Sequence, residues 1–304
     1  ASTGCGNPLP SGIKAGGTVQ TLSFTDPHGY VRNYLMRVPS SYDPNKAAPL
    51  ILSFHGQGGT GSSHAQESLW HNEVWNPFSI IVYPSAINGT WESNPNYYPV
   101  TSTVQPYDRE FVTALLNYMQ STFCIDTGKT FASGQSNGAG FNGVMACDST
   151  LNTRFAAFAP HCGAFYTTTP DSQCSGNVPN TVLTNNLVFD TCNPGRQVPI
   201  LEIHGDNDGT IGYFGGPRKY YCLPALPHWV SDWAVRNNLG TSNVTTQNAF
   251  GNPLVTMYEF GSGTSLGYVT HYRLANWTHN WSLIQNGGPI DSTPLIMNFF
   301  YRQT

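Results

Sequence analysis

Only 10% of the 304 residues are charged, and 31 glycines and 22 prolines punctuate the chain, which excludes a coiled coil or any protein built on long unbroken helices. Thirteen basic and seventeen acidic residues give a net charge of -4 with no Lys/Arg run, so the clustered cations that a nucleic-acid partner requires are missing. The longest apolar runs, such as residues 49–54, fall far short of the roughly 18 residues that span a bilayer, so no membrane partner is expected, while aromatic residues at 13% supply surface for a packed core.

From the N-terminus, residues 17–38 alternate polar and apolar positions around the turn cluster Asp26-Pro27-His28-Gly29, the pattern of a hairpin. Residues 50–54 and 79–83 are short runs apolar on both faces, the first ending in His55-Gly56-Gln57-Gly58-Gly59; such runs belong to parallel strands covered by helices. Phe111, Leu115, Leu116 and Met119 have helical spacing and predict a crossover helix over 111–123. A strand over 130–133, a helix over 137–147 and strands over 155–160 and 198–203 follow. Residues 163–197 are rich in Thr, Asn, Pro and Cys without clear period and read as a disulfide-tied excursion. A helix over 226–237, strands over 255–260 and 266–274 and a closing helix over 293–302 complete the order. Alternating strands and helices predict a doubly wound, mainly parallel sheet with helices on both faces. No repeat or linker interrupts it, so residues 1–304 are expected to form a single domain.

Seven cysteines show neither a C-x-x-C pair nor a tight Cys/His cluster, so no metal site is expected. Four sequons begin at Asn88, Asn243, Asn276 and Asn280, and the first residue is Ala1 rather than Met. Together these lead to the expectation of a secreted, extracellular glycoprotein with three disulfides and one spare thiol.

The chemistry-bearing motif is Gly134-Gln135-Ser136-Asn137-Gly138, a G-x-S-x-G pentapeptide of the kind that presents a serine nucleophile on a tight strand-to-helix turn. A second match, Gly263-Thr264-Ser265-Leu266-Gly267, lies between two strands and reads as a hairpin loop, so context selects Ser136. A serine nucleophile needs a base, and the base an orienting carboxylate, in the chain order Ser, acid, His. His204-Gly205-Asp206-Asn207-Asp208-Gly209 follows the strand over 198–203 and offers two aspartates where open sheets form active sites; position puts Asp208 ahead of Asp206. Of the later histidines, His228 precedes a helix and His271 is mid-strand, whereas His279 lies in a loop that lets an imidazole reach the serine. For the oxyanion, one backbone N–H is expected from Asn137 and one from the glycine loop, at Gln57. No cofactor is needed for such chemistry, and a P-loop is excluded because G-K-[ST] is absent.

His55-Gly-x-Gly-Gly59, Tyr83-Pro84, Gly134-x-Ser136-Asn-Gly-x-Gly140, His204-Gly-x-x-Asp208, Tyr213-x-Gly-Gly216, His279-x-Trp281 and the segment from Asp291 to Phe300 as a set resemble the secreted feruloyl esterases of carbohydrate esterase family one. The likeness is to the fungal types C and D, with bacterial polyhydroxybutyrate depolymerase-like esterases sharing the layout. The resemblance implies an α/β-hydrolase fold, Asp208 as acid, His279 as base, and hydrolysis of feruloyl esters of plant cell-wall polysaccharide by a monomer. Acetylxylan esterase, polyester depolymerase and a non-catalytic carbohydrate-binding module are the rival readings. Tyr213, Phe214 and Trp281 are expected to wall a slot that stacks on the feruloyl ring.

Overall fold

The six runs that read as strands after the hairpin, apart from residues 255–260, form the centre of one ten-stranded sheet in the computed structural model, which describes residues 1–94, 107–174, 186–187 and 190–303. In chain order the strands are β1 (Gln20–Thr25), β2 (Val31–Arg37), β3 (Ala48–Phe54), β4 (Ile80–Pro84), β5 (Ile125–Gln135), β6 (Ala157–His161), the two-residue pair β7 (Asn186–Leu187) and β8 (Asp190–Thr191), β9 (Ile200–Gly205), the hairpin β10 (Gly216–Arg218) and β11 (Tyr221–Leu223), β12 (Asn243–Thr246), β13 (Val255–Phe260) and β14 (Val269–Leu274). The helices are α1 (Gly61–Ser68), α2 (Asp108–Thr122), α3 (Asn137–Cys147), α4 (Leu226–Arg236) and α5 (Ser292–Arg302). The sheet runs β1-β2-β4-β3-β5-β6-β9-β14-β13-β12. Its centre, β4 to β14, is parallel, and two antiparallel strands extend each end.

Alternate side chains of the central strands enter two separate cores, one on each face of the sheet. Leu50, Leu52, Phe54, Ile80 and Val82 pack with Phe111, Leu115, Met119 and Trp229 of α2 and α4. Ile51, Ile81, Tyr83, Leu201 and Ile203 pack with Ile296, Met297 and Phe300 of α5. Burial on both faces is why these strands read as unbroken apolar runs.

Two elements lack the expected signals. Helix α1 buries Gly61, His64, Ala65 and Ser68, so it has no apolar stripe; a capping box between Thr60 and Ser63 starts it, with Ser in place of the usual Glu or Gln. Strand β12 is mostly exposed at the sheet edge and carries no buried period. Three disulfides, Cys5–Cys124, Cys147–Cys192 and Cys174–Cys222, leave Cys162 as the buried spare thiol. By loop-closure entropy each stabilises the fold by about 4–5 kcal/mol.

Candidate active site

Ser136 sits between β5 and α3 with φ 54° and ψ -113°, a conformation that a non-glycine residue rarely holds. Its backbone is fixed from both sides: its N–H donates to His161 O (3.0 Å), and its carbonyl accepts from the N–H groups of Gly140 (2.9 Å) and Ala164 (3.1 Å). The flanking glycines make the turn feasible. A Cβ on Gly134 would lie 2.9 Å from Phe54 O, and one on Gly138 2.3 Å from the same oxygen. Ser265, in contrast, closes a 3-10 turn in which its hydroxyl bonds to Ser262 O (2.8 Å). That accounts for the second pentapeptide as a turn.

Asp208 follows β9 and His279 follows β14, and these neighbouring parallel strands bring the two loops side by side. His279 Nδ1 donates to Asp208 Oδ2 at 2.6 Å. The other carboxylate oxygen accepts the N–H groups of Thr210 and Ile211, both at 2.8 Å. Burial by itself would raise the Asp208 carboxyl, but hydrogen bonds from His204 and His279 hold it well below the usual carboxylate range. Asp206 turns elsewhere: it pairs with Arg273 (2.9 Å) and accepts the Asn276 N–H (2.7 Å). The two aspartates, ranked by position with Asp208 ahead, are thus separated by their partners.

Ser136 and His279 line one cleft of about 470 Å³ with residues of the 55–59 loop, Ser63, Glu67, Gln135, Thr210 and Arg218. The loop is rigidly tied. His55 Nε2 accepts the Ala86 N–H (3.0 Å), which puts the ring proton on Nδ1, donating to Gly56 O (2.6 Å). Burial pushes the His55 pKa down to about 4, so the ring stays neutral. Trp91 Nε1 donates to His55 O (3.1 Å). The amides of Gly58 and Gly59 are consumed by Gly89 O and Gly56 O. The loop lies against the serine, since a Cβ on Gly56 would come 3.4 Å from Ser136 Cβ. Gln57 is exposed and its Oε1 accepts from Lys219 Nζ. Asn137, the first residue of α3, has no intrahelical acceptor for its N–H. Its side chain is committed to Trp91 and Ser93.

The expected aromatic slot requires correction. Trp281 is 2% exposed, donates from Nε1 to Thr293 Oγ1 (3.0 Å) and stacks on His161 at 4.6 Å, so it is a core residue beneath the cleft. Tyr213 is buried, with its hydroxyl on His271 Nε2 (2.8 Å). With the exposed ring of Phe214 it borders a different hollow, beside Pro227, Tyr258 and Arg273. None of the three lines the cleft that holds Ser136.

Other residues of the site were not singled out by sequence reasoning. Arg218, on the β10–β11 hairpin, borders the cleft with its Nε buried and unbonded. Glu202 and His204 lie directly behind Asp208; the spacing Glu-x-His-x-x-x-Asp was the available signal, since residues two apart on a strand share a face. Cys162, His204 and Asp208 offer metal-type donors within 4.8 Å of one another. Both His204 nitrogens and both Asp208 oxygens are already bonded, and burial, with the Asp208 and Glu202 charges, pushes the Cys162 thiol well up and keeps it protonated. That donor set is poorly suited to a metal ion.

No family model matches the chain. It is 25% identical over 260 residues to a bifunctional acetylxylan esterase/xylanase of Neocallimastix patriciarum, covering 83% of this chain and 31% of that protein. It is 23% identical over 244 residues to feruloyl esterase B of Piromyces equi, covering 79% of this chain and 41% of that one. The chain therefore spans less than half the length of either relative. The acetyl xylan esterase structure from Aspergillus awamori superposes with a TM-score of 0.65 at 17% identity, covering 94% of this chain and all of that one. The fold is the α/β-hydrolase fold anticipated from the motifs, and the resemblance to feruloyl esterases, with acetylxylan esterases beside them, is borne out by these relatives.

Proposed function

We propose that the chain is a serine esterase that cleaves feruloyl esters of plant cell-wall polysaccharides, with residues 1–304 acting as one catalytic domain. One observation carries the reading: Ser136, on its strained turn, shares a cleft with His279, whose Nδ1 is bonded to the buried Asp208. Ser136 Oγ attacks the ester carbonyl carbon as its proton passes to His279 Nε2. The tetrahedral oxyanion is held by the backbone N–H groups of Gln57 and Asn137. Collapse expels the sugar alcohol, which takes the proton from His279 and leaves an acyl-serine. Water, deprotonated by His279, then releases the acid and restores the hydroxyl. Asp208 fixes the ring orientation and stabilises the imidazolium. The cycle runs on the chain's own groups without a cofactor.

The relatives that act on plant polysaccharide esters support the substrate class. A second reading, acetylxylan esterase, is favoured by the lining: among the described residues no Phe, Tyr or Trp borders the cleft, so a flat aromatic acid gains little stacking there. Competition between methyl ferulate and acetylated xylan separates the two. Feruloyl release should win in kcat/KM, and Phe214→Ala should change the ratio less than about twofold, because that ring faces another hollow. Faster acetyl release transfers the assignment to the acetylxylan reading.

Secretion of a glycosylated monomer completes the proposal. Its secretion and glycosylation are supported by three disulfides and by exposed Asn88, Asn243, Asn276 and Asn280. Among the described residues no helix is long and apolar enough to cross a membrane.

A further inference from the structure

Behind Asp208 a line of buried polar side chains runs through the sheet. Asp208 Oδ2, already bonded to His279, lies 3.2 Å from His204 Nε2. That nitrogen also meets Ile211 O at 2.9 Å. On its other side His204 Nδ1 meets Glu202 Oε1 at 2.9 Å. The second oxygen of Glu202 lies 2.8 Å from His271 Nδ1, and His271 Nε2 meets the Tyr213 hydroxyl. His204, Glu202 and the Asp208 carboxylate have no exposed side-chain surface.

Every atom bonded to the two His204 nitrogens is an acceptor: a carboxylate oxygen on Nδ1, a carbonyl and a carboxylate on Nε2. A neutral imidazole has one donor nitrogen and one acceptor nitrogen, and would leave a lone pair facing an oxygen at a buried site. With Glu202 and Asp208 ionised, only a ring protonated on both nitrogens satisfies the geometry. The charge balance agrees, because two carboxylates, Glu202 and Asp208, flank this one ring and an unneutralised pair would be costly there.

We propose that His204 is a positioning residue: a standing imidazolium, clamped between Glu202 and Asp208, that shares the Asp208 charge with His279 and so sets the pH range over which His279 works as a base. For the role of His279 this rests on the esterase reading above. Without the cation, Asp208 would present its whole charge to His279 and hold that ring protonated to higher pH. With it, the carboxylate still orients Nδ1 but binds the proton on His279 less strongly. Burial alone would lower the His204 pKa, but the Glu202 and Asp208 charges raise it to about 10. Glu202 is held down at about 2 despite burial, chiefly by His204.

His271 of β14 faces the far oxygen of Glu202 and not the His204 ring, and the other groups around the pair leave this balance intact. From the end of β6 come Cys162, whose thiol stays protonated, and His161, kept neutral by burial with a pKa near 3. Burial raises the Tyr213 phenol well above its usual range, and its ring centre is 6.0 Å from that of His204. Across the cleft, His279 shares its surroundings with Glu67 and Arg218, one of each sign.

The test combines a spectrum with a pH profile. In the wild-type protein labelled with 15N-histidine, one of the nine rings, identified by its loss in His204→Gln, should keep both nitrogens protonated at pH 8. If the His204 ring is neutral at that pH, the proposal is overturned, whatever the protein hydrolyses; should His204→Gln not fold, His204→Asn serves for the assignment by difference. In His204→Gln the acid limb of kcat/KM for p-nitrophenyl acetate should move up by about one pH unit, the effect of removing a nearby like charge. A rate lowered equally at all pH values, with the limb unmoved, assigns His204 a merely structural role and overturns the proposal. Failure of the esterase reading is recognised separately, as a wild-type protein that turns over no ester while the His204 spectrum is as expected.

Discussion

Ser136→Ala should lower kcat for p-nitrophenyl acetate on the order of 10³- to 10⁶-fold, whereas Ser265→Ala should leave it within about twofold. The reason is chemical in the first case and positional in the second. Removing Oγ of Ser136 deletes the atom proposed to bond to the acyl carbon, and only oxyanion stabilisation and substrate binding would remain. The turn itself should survive, because Ser136 is held through its N–H and carbonyl, and alanine bears the same Cβ at φ 54° as serine does. Thermal stability should therefore change by no more than about 0.5 kcal/mol. Ser265 presents the reverse profile. Its hydroxyl closes a capping box with Ser262, so alanine there should cost about 1 kcal/mol of stability with no effect on the chemical step. Steady-state kinetics alongside thermal melts of the two variants decide the matter, and the opposite ranking in kcat would remove Ser136 from its proposed role.

Gly138→Ala should damage both stability and turnover although it adds a single methyl group. The new Cβ would lie 2.3 Å from Phe54 O and 2.5 Å from His55 O. Both are backbone atoms at the end of β3, so no side-chain rotation relieves the clash. Either α3 or the start of the 55–59 loop must shift by about an ångström, at an overpacking cost of about 3 kcal/mol. In a protein of this size that corresponds to a fall in Tm of about 5 °C. The same shift separates Ser136 from the loop expected to hold the oxyanion, and a misplacement of this size costs roughly 10²-fold in kcat. Gly209→Ala is the control. It is next to Asp208, yet a Cβ there meets nothing within 4 Å, so its melting temperature and turnover should match wild type. A Gly138→Ala protein with unaltered kcat would show that the α3–β3 contact does not position the serine.

How much of this was legible beforehand depended on whether a residue's role is local or made by packing. The sequence by itself determined the parallel centre of the sheet, because Leu50, Ile51 and Leu52 are apolar at consecutive positions and only a strand buried on both faces requires that. It also set Ser136 apart from Ser265 as the serine of a strand-to-helix turn, because a strand before, a helix after and glycines at two fixed offsets are all local features. Three things were decided only by tertiary structure. Position ranked Asp208 ahead of Asp206 without giving a physical reason, and what separates them is Arg273 from the neighbouring strand, which takes Asp206. Trp281 could wall a cleft or fill a core; His161 and Thr293, each distant in sequence, draw it into the core. For His204 the spacing to Glu202 and Asp208 stood in its own segment, and the fold decided that both carboxylates reach its two nitrogens. A side chain's partners across strands leave no periodicity in its own segment, whereas turn geometry and two-sided burial do, and that difference divides what was read from what had to be seen.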